Sequence, residues 1–158
     1  MNTSPKNTDF SIRQASVSDL SELVPLFDAY RMFYGKDSDL KGAEIFLQDR
    51  MKKNESVIFF AKEGKKTAGF VQLYPSFSSV SIGKIFVLND LFVQERFRKM
   101  GAGEMLIQKA VEYARSENAV RLVLSTGISN QSAQRLYEKL GWEKDVSFFY
   151  YSYTAFQK

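Results

Sequence analysis

Apolar positions along the chain follow two periods, and each period marks out elements. Leu20, Leu23, Val24, Phe27 and Tyr30 recur at helical spacing and predict a first helix. Ser18 is its expected N-cap, with Asp19 and Glu22 suited to the positive end of the helix dipole. Pro25 falls inside this stretch and predicts a kink or an interruption. After a loop of Gly35 and "KDSD", the run "LKGAEIFLQDRMKK" predicts a second helix. Leu106, Ala110, Tyr113 and Ala114 predict a third, and "SNQSAQRLYEKLG" a fourth with a Ser or Asn cap and a Gly stop.

The remaining apolar runs read as strands. "FSIRQA" is a short first one. "SVIFFAK", the turn "EGKK" and "TAGFVQLYP" form a hairpin that Pro75 is expected to end, followed by the loop "SFSSVS". "GKIFVLNDLFV" is almost continuously apolar, the pattern of a strand buried on both faces. "VRLVLST" is another buried strand. The tail "GWEKDVSFFYYSYTAF" predicts one or two aromatic strands, either an edge that pairs with a second copy to give a homodimer or a strand packed within the chain. The order is β-α-α-β-β-β-α-β-α-β with one β-α-β crossover. It predicts an α/β (α+β) class and a single domain over residues 1–158, with a mixed sheet of six to seven strands and about four helices. Residues 1–8 are polar and expected to be flexible.

Composition narrows the chemistry by two absences. Among 158 residues there is no cysteine and no histidine. That removes disulfides, thiolate nucleophiles, zinc ribbons and the commonest general base, and no metal site is expected. Chemistry must then rest on carboxylates, tyrosines, lysines, backbone amides, water or a co-substrate. The net charge of +4 fits an anionic ligand, nucleic acid or simple solubility equally. No apolar run reaches membrane-spanning length and the N-terminus is polar, so no membrane partner and a cytoplasmic location are expected.

The third helix opens with "RFRKMGAGEML". A helix N-terminus carries unbonded amides and partial positive charge, so it suits a phosphate. Gly101 and Gly103 let an anion approach the main chain, and Arg96, Arg98 and Lys99 add attraction. Taken alone, the pattern also describes an ordinary glycine loop with solvated cations. Position 106 is Leu and "QERFRK" separates strand from glycines, unlike a dinucleotide fingerprint; no Gly-Lys-Ser/Thr is present for a P-loop.

"LNDLFVQERFRKMGAGEMLIQKAVEYA" followed by "LVLSTGISNQSAQRLYEKLGW" resembles the acetyl-CoA-binding core of the GNAT superfamily of N-acetyltransferases. Arg98-x-x-Gly101-x-Gly103 matches its pyrophosphate signature. Asn130, Ala133, Tyr137 and Gly141-Trp142 match its second motif. "AYRMFYG" with "NDLFV" looks most like the small histone- and polyamine-acetylating members. The resemblance implies a sheet splayed between strands 4 and 5 and acetyl-CoA as co-substrate. It places main-chain groups of Leu91 and Val93 along the pantetheine, and an oxyanion-stabilising amide at Leu91 or Phe92. The amides of Arg98, Lys99, Met100, Gly101, Ala102 and Gly103 fall on the pyrophosphate. Asn130 and Ala133 would also contact the cofactor.

Tyr137, on its own pattern a core aromatic, becomes by the resemblance the general acid that protonates the departing thiolate. Asn130 is a helix cap, a cofactor contact, or both. The resemblance expects a glutamate where Asn89 stands, and Asn89 cannot act as a base. Asp90 is a base or a structural carboxylate, and alternation turns it to the opposite face unless a bulge intervenes. Tyr30, Tyr34 and an ordered water chain are further candidates. Asp28, Asp37 and Asp39 among Tyr30, Phe33 and Tyr34 either suit a cationic acceptor, with Tyr30, Tyr34 and Asn89 as its contacts, or form a solvated loop beside core aromatics. The expected reaction is direct acetyl transfer to a primary amine, of a small molecule or a protein. The alternatives are a non-catalytic acyl-CoA-binding or regulatory module of the same fold and, ranked last, a nucleic-acid binder.

Overall fold

In the computed structural model, residues 9–156 are described and form two compact units that divide after Ser125. The flexibility expected for residues 1–8 lies outside the described residues.

The first unit is a sheet with helices on both faces. Its elements are β1 (Ser11–Gln14), α1 (Leu20–Phe33), α2 (Leu40–Lys52), β2 (Val57–Glu63), β3 (Lys66–Ser78), β4 (Gly83–Val93), α3 (Ala102–Ser116) and β5 (Arg121–Val123). The strands lie in sequence order, antiparallel except for the β4–β5 pair, which is parallel across the α3 crossover. One face buries Leu20, Leu23, Leu26 and Phe27 of α1 with Ala43 and Leu47 of α2 against Ile58, Phe60 and Phe70. On the other, α3 packs on β1 to β5 through Leu106, Ile107, Ala110 and Ala114, and the Tyr113 ring sits 5.5 Å from both Phe59 and Phe86.

Several boundaries depart from expectation. Helix α1 is led in by a 3-10 turn, Val17–Asp19; Ser16 is the N-cap of the turn and Asp19 that of α1, so Ser18 caps neither. The Asp19 carboxylate accepts from the Ser16 amide at 2.8 Å and pairs with Arg13. Pro25 does not interrupt α1. Nor does Pro75 end β3: it lies in register with Phe86, beyond Leu73 where pairing with β2 stops. From Tyr74 onward β3 is an edge, where a residue without an N–H leaves no ladder partner unpaired.

The second unit contains α4 (Gln131–Lys139), capped by Asn130, whose Oδ1 accepts from the Ala133 amide at 3.2 Å. Gly141 ends it with a left-handed φ of 84°. The tail strands do not form. The sheet therefore has five strands among the described residues, not six to seven. Phe148, Phe149, Tyr150, Tyr151, Tyr153 and Phe156 are exposed and irregular. Aromatic β-propensity depends on a neighbouring pleated surface, and the Asp145 carboxylate draws the amides of Ser147 and Phe148 into a local turn instead. Among the described residues no helix is long and apolar enough to cross a membrane.

Candidate active site

The backbone between β4 and α3 supplies the first component. A 3-10 turn, Glu95–Phe97, follows the strand and is anchored by buried Phe97, which meets Phe10 edge-on at 6.1 Å. Arg98 donates through Nε to the Val93 carbonyl at 3.0 Å, and its guanidinium lies over Phe33 and Phe92. The side chain thus braces the loop against the end of β4. Lys99 and Gly101 then both take left-handed φ, 61° and 94°. The first helical bond recorded at this entrance runs from Met105 N–H to the Gly101 carbonyl. Among the described residues, the amides of Lys99, Met100, Gly101, Ala102 and Gly103 donate no hydrogen bond. Five free donors on a turn of alternating handedness, at a helix N-terminus, make an anion-binding concavity.

The open edge of β4 supplies the second. β5 pairs with Ile85, Phe86 and Val87, so among the described residues Leu88 to Val93 have β3 as their only neighbour strand. The Gln94 amide donates to the Ala68 carbonyl of β3's edge. The Phe92 carbonyl also turns towards β3, 2.5 Å from where a Cβ on Gly69 would stand. By two-residue alternation, Leu91 and Val93 direct their main-chain groups away from β3. Of the two amides expected near a developing oxyanion, Leu91 is therefore on the open side and Phe92 is not.

The third component depends on a bulge. Leu73 pairs with Leu88 but Gln72 pairs with Asp90, leaving Asn89 as the extra residue. Phe86, and by alternation Leu88, face α3; the bulge resets the count, so that Asp90 and Phe92 face α1 and α2. Asp90 is 3% exposed. Its Oδ2 accepts from Gln72 Nε2 at 2.5 Å and its Oδ1 from Asn89 Nδ2 at 2.9 Å. Tyr30 stands over it, packed against Tyr34, Phe70 and Phe92. Burial first, then the Asp90 charge and a hydrogen bond to it, push the Tyr30 phenol well above its ordinary value. Tyr30 is accordingly a proton donor at neutral pH and not a base. Burial and Asp90 raise Tyr74 likewise, opposed by Arg50 and by a hydrogen bond with Gln72.

Two expected acceptor contacts are structural. Asp28 is buried, accepting from Ser38 Oγ at 2.6 Å and the Asp39 amide at 2.8 Å. Asp39 caps α2 through the Gly42 amide. Both are committed to the α1–α2 connection. Asp37, Tyr34 and Phe33 remain exposed. A cavity of about 620 Å³ opens beside Pro25, Ala29, Phe33 and Phe92, and meets the β4–α3 connection at Gln94, Glu95, Arg96 and Arg98 but not at the glycines.

In the second unit, Tyr137 is buried on α4 and its ring lies 5.8 Å from Trp142, whose amide donates to the Tyr137 carbonyl. Asn130 occupies the cap position described above.

The sequence profile of the Acetyltransferase (GNAT) family matches residues 23–142. The chain belongs to this family. It is 48% identical over 141 residues to the "Uncharacterized N-acetyltransferase YhfO" of Bacillus subtilis, covering 89% of this chain and 95% of that one. It is 38% identical over 102 residues to a "Probable acetyltransferase" of Haemophilus influenzae, covering 64% and 70%. A crystal structure of a probable acetyltransferase superimposes with TM-score 0.88 at 39% identity, over 94% of this chain and 99% of the other. The aminoglycoside N-acetyltransferase AAC(6')-Iy in complex with CoA shares the fold, with TM-score 0.78 at 17% identity over 95% and 98%. The protein is an acetyl-CoA-dependent N-acetyltransferase.

The residues present fit a GNAT co-substrate: unengaged amides suit a diphosphate, and the one-sided edge of β4 suits an amide-bearing arm. Sequence reasoning missed Gln72, although a single polar residue inside "GFVQLY" is a visible signal. Consecutive Asn89 and Asp90 within an apolar strand signal the bulge in the same way.

Proposed function

We propose that this GNAT enzyme transfers acetyl from acetyl-CoA to a primary amine by direct attack within a ternary complex. The single observation that carries the reading is the set of five unengaged amides from Lys99 to Gly103 at the entrance of α3. They and Arg98 would hold the diphosphate, and Leu91 and Val93 would bond the pantetheine as an added strand. Asn130 and Ala133 are carried as further contacts by their match to the second motif.

Acetyl-CoA supplies the acetyl group as a thioester. The acceptor is bound as an ammonium and must lose a proton before its nitrogen can attack. Asp90 is the proposed proton acceptor, supported by the bulge that turns it to the α1–α2 face and by the lack of any ion pair to it among the described residues. The carbon–nitrogen bond then forms as the carbon–sulfur bond breaks. The Tyr137 phenol gives its proton to the leaving thiolate, and the Leu91 amide stabilises the charge that develops on the carbonyl oxygen. A buried carboxylate ringed by Tyr30, Tyr74 and Phe92 favours a cationic acceptor, in keeping with the likeness to histone- and polyamine-acetylating members.

Release of free thiol with a panel of polyamines, basic peptides, amino acids and aminoglycosides tests the reading. Turnover with cationic amines is expected, and saturable CoA binding with no turnover on any amine would overturn it. A homodimer is part of the proposal, supported by the exposed tail aromatics from Phe148 to Phe156. Sedimentation equilibrium showing only monomer at high protein concentration would remove it.

A further inference from the structure

Gln72 lies in the middle of β3, is 0% exposed, and faces Asp90 directly across the strand pair. One end of its amide is engaged: Nε2 donates to Asp90 at 2.5 Å. The other end is not, since Oε1 has no hydrogen-bond partner among the described residues. An orphaned buried amide oxygen is destabilising, and an apolar residue here would fill the strand position without that cost. The neighbours are polar and convergent: Asp90 from β4, Tyr30 from α1 and Tyr74 two residues along β3, with Arg50 of α2 near enough to act on Tyr74. A buried water is stable where two to four such groups converge.

We infer that Gln72 is a positioning residue for proton removal: its Nε2 holds the Asp90 carboxylate, and its Oε1 holds the water through which the acceptor's proton reaches that carboxylate. This rests on Asp90 being the proton acceptor, as proposed above. The transfer balances in one concerted exchange. An ammonium N–H bond breaks as an O–H bond forms on the water, while one of the water's own hydrogens passes to Asp90. The products are a neutral amine, an unchanged water and a carboxylic acid, which returns its proton to solvent before the next turnover. Direct contact with the amine is not required of Asp90, which at 3% exposure is poorly placed for it.

The titratable groups that act with Asp90 are Tyr30 and Tyr74, with Tyr34 acting on Tyr30 and Arg50 on Tyr74. Burial holds Tyr30 and Tyr74 protonated through neutral pH, so neither competes for the acceptor's proton. Removing Gln72 takes away the Nε2 donor to the carboxylate and the Oε1 acceptor for the water.

The test uses Gln72→Leu and, as a flexible side chain of similar length that protects against a folding defect, Gln72→Met, alongside Asp90→Asn. All are checked by thermal melting. The expected result for both Gln72 variants is a fall in kcat of about tenfold and a changed acidic limb of kcat/KM. KM for acetyl-CoA should stay within about twofold, since these residues lie off the phosphate loop. If Asp90→Asn abolishes turnover but either folded Gln72 variant keeps the wild-type limb, Gln72 is scaffold and the inference falls while the proposed base stands. If Asp90→Asn keeps the wild-type rate and profile, the proposed base fails and the inference with it.

Discussion

Lys99 and Gly101, two positions apart, both hold left-handed backbone, with φ of 61° and 94°. That alternation turns the peptide planes between β4 and α3 so that five consecutive amides point away from protein acceptors. A helix entered from an ordinary extended residue would present fewer free donors in one place.

Substitution at Gly101 separates conformation from steric clash. A Cβ there meets no atom within 4 Å, so any cost of Gly101→Ala comes from forcing an L residue to a φ of 94°. That cost is about 1–2 kcal/mol. KM for acetyl-CoA should rise by roughly tenfold in Gly101→Ala and less in Gly101→Asn, because Asn tolerates the left-handed region better. Steady-state kinetics with acetyl-CoA as the varied substrate checks the order. Equal effects from Ala and Asn would point to a lost close approach instead.

Tyr137→Phe removes the proposed acid and keeps the ring beside Trp142. kcat should fall roughly 100-fold while the Kd for CoA changes little. Calorimetry and initial rates on one preparation give both numbers. A variant with full activity across the pH range would transfer the acid role to another group.

Arg13 and Asp19 link stability to pH. The Arg13 hydrogen bonds, with help from the Ser16 amide, pull the Asp19 carboxyl down to about 2 against burial that raises it. A carboxyl depressed in the folded state stabilises fully above its unfolded value near 4 and loses that contribution as pH falls towards 2. Replacing Arg13 with Met should lower the melting temperature at pH 7 and leave it almost unchanged near pH 2. Thermal melts of both proteins across that range should converge at the acid end. A gap that stays constant with pH would contradict the linkage.

Asn130→Ala deletes the side-chain cap of α4. It should destabilise that helix by about 1 kcal/mol. Asn130→Asp retains an acceptor at the cap and should preserve stability. If Asn130 also contacts CoA, both variants weaken binding, and if it is only a cap, Asp restores it.

Much of this is legible in the amino-acid sequence. The extent of β4 follows from an uninterrupted apolar run, because a strand buried on both faces leaves little room for polar residues. The loop before α3 follows from glycines and cations at a helix entrance. What the pattern hid depended on pairing partners. Pro75 looks like a terminator until β2 is seen to stop at Leu73. Asp28 looks like an acceptor contact, but the Ser38 hydroxyl and Asp39 amide that occupy it are ten and eleven residues away. Asp90 changed faces through one inserted residue, which period-two counting cannot register without the opposite strand. The tail shows the reverse failure: local β-propensity was strong, yet Trp142 to Phe156 formed no strand.

The most direct test is amide NMR of the 15N-labelled protein titrated with CoA. The amides of Lys99, Met100, Gly101, Ala102 and Gly103 should move together, saturate at one Kd and exchange more slowly with water once CoA is bound. Saturable CoA binding that leaves those five resonances and their exchange rates unchanged would contradict the account.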